Sequence, residues 1–116
     1  RENFWSHKKV LITGADGFIG RHLLQYLASV GADVVGVARK KTNDPHLVSV
    51  DVANRVALQK VFSHTPFFAV YHLAADALVE HGQESPYETL RNNILSALNV
   101  LELARCYQIK RHHPFY

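Results

Sequence analysis

Three glycines separated by residue pairs, in Thr13-Gly14-Ala15-Asp16-Gly17-Phe18-Ile19-Gly20, constrain this chain more than any other feature. The residues before them, Lys9-Val10-Leu11-Ile12, read as a buried strand. After them, Leu23, Leu24, Leu27 and Ala28 fall at the i, i+1, i+4, i+5 spacing of one helix face. A strand that turns through glycine straight into a helix presents the first helical N–H groups, and the positive end of the helix dipole, to an anion. Gly14 permits the tight turn, Gly17 lets backbone approach a pyrophosphate, and Gly20 lets helix and strand pack closely. The pattern predicts a dinucleotide site. The alternative is a structural strand-to-helix turn that holds no ligand.

At 116 residues the chain is long enough for a single domain with a real core. Its 47% hydrophobic and 20% charged residues are the proportions of a soluble globular protein. No apolar run approaches the roughly 20 residues that cross a bilayer, and Arg1-Glu2-Asn3-Phe4-Trp5 is not an apolar leader, so no membrane partner is expected. The single cysteine, Cys106, excludes an internal disulfide and fits a reducing, cytoplasmic setting. A net charge of +3 is mild, and the basic groups Lys8-Lys9, Arg39-Lys40-Lys41 and Lys110-Arg111 carry no interleaved aromatics. No nucleic-acid partner is expected on that basis.

Further strands are expected over Ala32–Ala38, Leu47–Asp51 and Phe67–Leu73, the last apolar throughout as a strand buried on both faces should be. Gly31 should stop the first helix, and Asn43-Asp44-Pro45 should form a turn. A second helix is expected over Ala53–Ser63 with Asn54 at its start. Ser85-Pro86-Tyr87-Glu88 has the residues of an N-cap, a first helical proline and a capping box, opening a third helix that runs to about Tyr107. Strands alternating with helices predict an α/β fold, a Rossmann-type doubly wound parallel sheet of about four strands in the order 3-2-1-4 with three helices. The crevice between the first and fourth strands is then where a ligand lies. The connection from Arg39 to His46 is short for a parallel crossover, which makes it the weakest junction of that topology.

Four segments in order resemble the extended short-chain dehydrogenase/reductases, the NAD-dependent epimerases and dehydratases of nucleotide sugars. They are Thr13-Gly14-x-x-Gly17-Phe18-Ile19-Gly20, Asp51-Val52, His72-Leu73-Ala74-Ala75, and the helix from Asn92-Asn93-Ile94 to Asn99-Val100-Leu101-Glu102. In the last, Ser96-Ala97 stands where the family pattern has Gly-Thr. Phe4-Trp5, Ala74-Ala75-Asp76-Ala77-Leu78-Val79 and Ser85-Pro86-Tyr87-Glu88-Thr89 look most like the CDP-glucose 4,6-dehydratases, although Ile19 stands where that subgroup often has Lys. The resemblance implies that Asp51 meets the adenine amino group and that backbone at Leu73, Ala74 and Ala75 passes the nicotinamide ribose. With Val52, Asn92, Asp16, Phe18, Ile19 and the three glycines, these make the expected cofactor-binding set. Arg39 completes it. Family members that bind NAD usually place an acidic residue at this strand end, whereas Arg suits the 2′-phosphate of NADP, and Lys40 and Lys41 add charge. The alternative reading of these three is a solvated basic loop, and that of Asp51 is a helix cap.

The family's chemistry uses a Tyr with a Lys four residues later, the ammonium lowering the phenol pKa so that it acts as a base. Here Tyr26 is followed at that spacing by Val30, Tyr87 by Arg91 and Tyr107 by Arg111, so no catalytic residue is assigned. His72 reads as a packed strand-end residue, and His112-His113 are too few for a metal site. The run Lys110 to Tyr116 falls about where family members begin a fifth strand. The resemblance therefore implies one truncated NAD(P)-binding domain over residues 1–116, binding dinucleotide without turnover by itself, with a nucleotide sugar a ligand only of an intact relative. The alternative is a non-enzymatic, self-associating or partner-binding module. A truncated sheet leaves the apolar edge at 67–73 unpaired, which predicts a homo-oligomer through that edge.

Overall fold

Short apolar runs alternating with amphipathic ones build a parallel sheet with helices on both faces. The computed structural model describes residues 4–75 and 85–107 and the backbone of 111–114. Asp76-Ala77-Leu78-Val79 of the subgroup motif, Lys110 and Phe115-Tyr116 lie outside the described residues. In chain order the elements are β1 (Lys9–Thr13), α1 (Phe18–Ser29), β2 (Asp33–Ala38), β3 (Leu47–Ser49), α2 (Arg55–His64), β4 (Ala69–His72), α3 (Pro86–Cys106) and β5 (Arg111–Pro114). Every pair is parallel, in the order β3-β2-β1-β4-β5.

The four strands and three helices that the sequence predicts are all present in the expected order. The fifth strand is an addition, and it corrects one expectation. β5 pairs along β4, with Ala69 opposite Arg111 and His72 opposite Pro114. The edge at 67–73 is therefore covered by the chain itself, and the predicted homo-oligomer through that edge loses its premise. Arg111-His112-His113-Pro114 has neither β-branched residues nor alternating apolar ones, so its pattern announces no strand.

β3 and β4 are shorter than the apolar runs that contain them. After Ser49 the backbone bends toward α2, closed by a bond from the Asn54 N–H to the Asp51 carbonyl (2.8 Å). The short connection between β2 and β3 keeps the parallel sense without a helix. Its turn at Pro45 is held by the Leu47 N–H on the Asp44 carbonyl (3.1 Å) and the His46 N–H on the Asp44 carboxylate (2.9 Å).

Strand periodicity divides the core. Val10 and Ile12 pack with Leu24, Leu27, Val34 and Ala69 on the α1 face. Leu11 packs with Val37, Leu58, Phe62, Val70, Val100 and Leu103 on the face that α2 and α3 cover. Fully burying each such side chain contributes about 1.5–3 kcal/mol. The flank of the α1 face is closed by Trp5, whose ring meets Phe68 (6.1 Å) and Tyr71 (6.4 Å). Gly31, at φ +94°, ends α1 as expected. The Ala32 N–H reaches the Leu27 carbonyl (3.0 Å) and the Gly31 N–H the Ala28 carbonyl (3.1 Å), the paired bonds of a Schellman stop.

α3 is amphipathic in an inverted sense. Tyr87, Leu90, Ile94, Leu98 and Leu101 lie exposed on its outer side, whereas Thr89, Ser96 and Asn99 are buried on its inner side. Only its C-terminal half, with Val100, Leu103 and Ala104, feeds the apolar core.

Candidate functional site

The C-terminal ends of β1, β2, β3 and β4 open onto one cleft of about 220 Å³, at the point where the strand order reverses. Its wall is built in sequence order. Gly14, Asp16 and Gly17 come from the turn after β1, Ala38, Arg39 and Lys40 from the end of β2, and Asp51 and Val52 from the loop after β3. Leu73, Ala74 and Ala75 follow β4, and Asn92, Asn93 and Ser96 reach in from α3.

The glycine turn takes its shape from contacts that admit no side chain. Gly14 sits at φ +68°, and a Cβ there would lie 2.8 Å from the backbone of both Leu73 and Ala74. A Cβ on Gly20 would overlap the Gly14 carbonyl oxygen and stand 2.9 Å from the Ala15 Cα, so α1 rests directly on the turn. Gly17 differs. A Cβ there would touch only the Gly14 oxygen, at 3.4 Å, and would otherwise project into open space. Gly17 is the N-cap of α1 and provides no side-chain bond to the helix start. Its own carbonyl accepts the Arg21 N–H (2.9 Å), which leaves the N–H groups of Phe18 and Ile19 without intrahelical acceptors.

β1 and β4 are tied together at the floor of the cleft by one hydroxyl. Thr13 Oγ1 accepts the N–H groups of Leu73 (3.1 Å) and Ala74 (3.2 Å) and lies 2.7 Å from His72 Nδ1. Both side chains are buried. His72 is thus the packed strand-end residue its position suggests. Among the described residues, no group of three His, Cys, Asp or Glu side chains is placed to hold a metal.

On the far side of the cleft, Asp51 uses Oδ1 to accept the Ala53 N–H (3.0 Å) and shapes the loop, while Asn54 caps α2 by accepting the Ala57 N–H (3.2 Å). The capping alternative for Asp51 therefore falls to Asn54, and Asp51 stays exposed on the cleft wall. Asn99 Nδ2 donates to the buried Val52 carbonyl (2.9 Å) and pins α3 against this loop. At the distant end of α3, the hydrogen bond from Arg105 holds the Glu102 carboxyl below its ordinary pKa, with no part in the cleft.

Of the predicted residues, Gly14, Asp16, Gly17, Arg39, Asp51, Val52, Leu73, Ala74, Ala75 and Asn92 line the cleft together. Phe18, Ile19 and Gly20 do not. Phe18 is 72% exposed with its ring 4.5 Å from that of His22, Ile19 is also exposed, and Gly20 is buried beneath the turn. Lys40 joins Arg39 on the wall, whereas Lys41 does not. Residue-level reading of the sequence assigned no role to Asn93 or Ser96. Their three- and four-residue spacing sets them on one helix face with Thr89 and Asn99, but Leu90, Ile94, Leu98 and Leu101 mark the opposite face as the one a helix would ordinarily bury.

A model of the NAD-dependent epimerase/dehydratase family matches residues 10–115. The UDP-glucose 4-epimerase of Caenorhabditis elegans is 30% identical over 87% of this chain and 35% of its own length. The CDP-glucose 4,6-dehydratase of Salmonella typhimurium is 29% identical over 90% of this chain and 32% of its own. Epimerase and dehydratase match about equally, so the subgroup resemblance is not singled out. Among solved structures, the UDP-glucose 4-epimerase of Thermus thermophilus in complex with NAD superimposes with a TM-score of 0.78 at 29% identity, covering 90% of this chain and 36% of that one. The chain spans about a third of the length of the relatives it matches.

Proposed function

The chain belongs to the NAD-dependent epimerase/dehydratase family, and on that premise we propose that its cleft binds a dinucleotide of the NAD(P) type. One observation carries the reading: the uncapped start of α1 faces a cleft in which Gly17 keeps the space ahead of it clear of side chain. Those residues fit a pyrophosphate, because free N–H groups and the helix dipole favour an anion there. Asp51, on the same wall, has a carboxylate that accepts only, which suits an exocyclic amine of a purine. Bound dinucleotide would supply hydride chemistry; this chain's residues supply the cradle. Arg39 and Lys40 at the end of β2 support a preference for NADP over NAD through a charge-assisted contact to the 2′-phosphate.

Turnover needs more than the cradle. No Tyr-x-x-x-Lys occurs in the sequence, so these residues bind the cofactor without completing a sugar-nucleotide reaction, and the sugar nucleotides named for the relatives are the substrate class of a longer protein. The setting is a reducing cytoplasm, in keeping with one exposed, unpaired cysteine. Calorimetry with NAD and NADP tests the reading. Binding that Gly17→Val abolishes is the expected result, and no heat with either dinucleotide at millimolar concentration would overturn it.

A second reading, a module that associates with itself or a partner, is favoured by the exposed row Tyr87, Leu90, Ile94, Leu98 and Leu101 along α3. Sedimentation at tens of micromolar separates the two. A monomer that binds dinucleotide supports the first reading alone.

A further inference from the structure

The environment of Ser96 sets it apart from every other serine described. It is 7% exposed, faces inward from α3 and lines the cleft. Helical serines commonly return their hydroxyl to the carbonyl one turn back. Among the described residues, the Ser96 hydroxyl has no hydrogen-bond partner of any kind. A buried hydroxyl left in that state bears the desolvation of its polar atom with no return, and such groups in native proteins call for an explanation. Its neighbours on the same face show the contrast. Asn99, one turn later, is satisfied by the Val52 carbonyl, and Thr89, about two turns earlier, is buried but does not line the cleft.

That bond also locates Ser96. Three residues separate it from Asn99, a rise of about 4.5 Å along the helix, so it stands beside the loop carrying Asp51 and Val52. We propose that Ser96 is a base-contacting residue whose hydroxyl bonds the adenine ring of a dinucleotide seated over Asp51 and Val52. The inference rests on the NAD(P)-binding reading above. Adenine presents one kind of donor, its exocyclic amine, and acceptors at its ring nitrogens. A carboxylate accepts and a hydroxyl donates, so Asp51 and Ser96 address complementary groups on one base. The hydroxyl that the folded chain leaves unmatched is then matched by the ligand.

Ser96→Ala, with two readouts of opposite sign, is the test. Without ligand its melting temperature equals or exceeds that of the unaltered protein, because no bond is lost; a clear fall would show that the hydroxyl is already paired and would overturn the inference. With ligand, affinity for NAD and for ADP-ribose falls by the same factor, about 3- to 10-fold, as loss of one hydrogen bond gives. ADP-ribose lacks the nicotinamide, so a loss seen with NAD alone would move the contact to the other end of the cleft and overturn the assignment, as would unchanged affinity for both. If the unaltered protein binds neither probe, the dinucleotide reading fails, and with it this one. The ligand-free melting comparison then still reports separately whether the hydroxyl is unpaired.

Discussion

α1 and α2 begin in opposite ways. At the start of α2, Asn54 folds its side chain back onto the Ala57 N–H, and at the start of α3 Ser85 does the same for Tyr87. At the start of α1 stands Gly17, with nothing to offer. A side-chain cap in place of glycine is worth a few tenths of a kcal/mol, and among the described helices it is α1, whose start faces the cleft, that forgoes it. The two capped starts are answered from within the chain. The bare one is left for something outside it, at the cost of local stability.

Four substitutions break or sharpen that contrast. Gly20→Val drives a branched side chain into the Gly14 carbonyl and should lower stability by about 4 kcal/mol or more in urea denaturation. A loss under about 1 kcal/mol would mean that α1 does not need its seat on the turn. Gly17→Asp is the sharper instrument, since φ −74° and ψ 172° suit any residue. An intramolecular carboxylate cap should raise stability by roughly 0.5 kcal/mol while cutting dinucleotide affinity by a hundredfold or more, about 2.7 kcal/mol. If both quantities rose, or neither changed, the bare start would not be reserved for an anion. Arg39→Ala should remove an NADP preference of about ten- to a hundredfold, measured as the ratio of the two dissociation constants. An unaltered protein with equal affinities refutes that contact. Asn54→Ala should cost about 1 kcal/mol of thermal stability and leave dinucleotide affinity within twofold, the mirror image of Gly17→Asp.

The parts of this fold written in local chemistry were legible. The glycine spacing, the Gly31 stop, the Asn54 and Ser85 caps and the apolar runs of β1, β2 and β4 each follow from a few adjacent residues. β5 was not, because its residues carry no strand pattern and their pairing is imposed by the position to which α3 returns the chain beside β4. The cleft was legible where residues sit at strand ends, as at Arg39, Asp51 and Ala74. It was not at Phe18 and Ile19, whose place in the motif says nothing about where their side chains turn. Ser96 became visible only once α3 was seen to bury its polar side. On sequence alone the periodic leucines of that helix point to the opposite face as the buried one.

β1 lies in the middle of the sheet, with Val10 flanked by Val34 on one side and Ala69 on the other. On the ribosome it is the first of the described strands to be made. Its partner on one side emerges shortly afterwards, but the other side waits for β4. At about 5–20 residues per second, that interval lasts a few seconds. Throughout it, Val10, Leu11 and Ile12 hold an apolar strand with one unpaired edge, a template for any extended chain nearby. The element most deeply enclosed in the finished molecule is therefore the most vulnerable one during synthesis. A substitution that slows arrival of β4, such as Pro at Ala69, should reduce yield through aggregation of the nascent chain as well as through weakened folding.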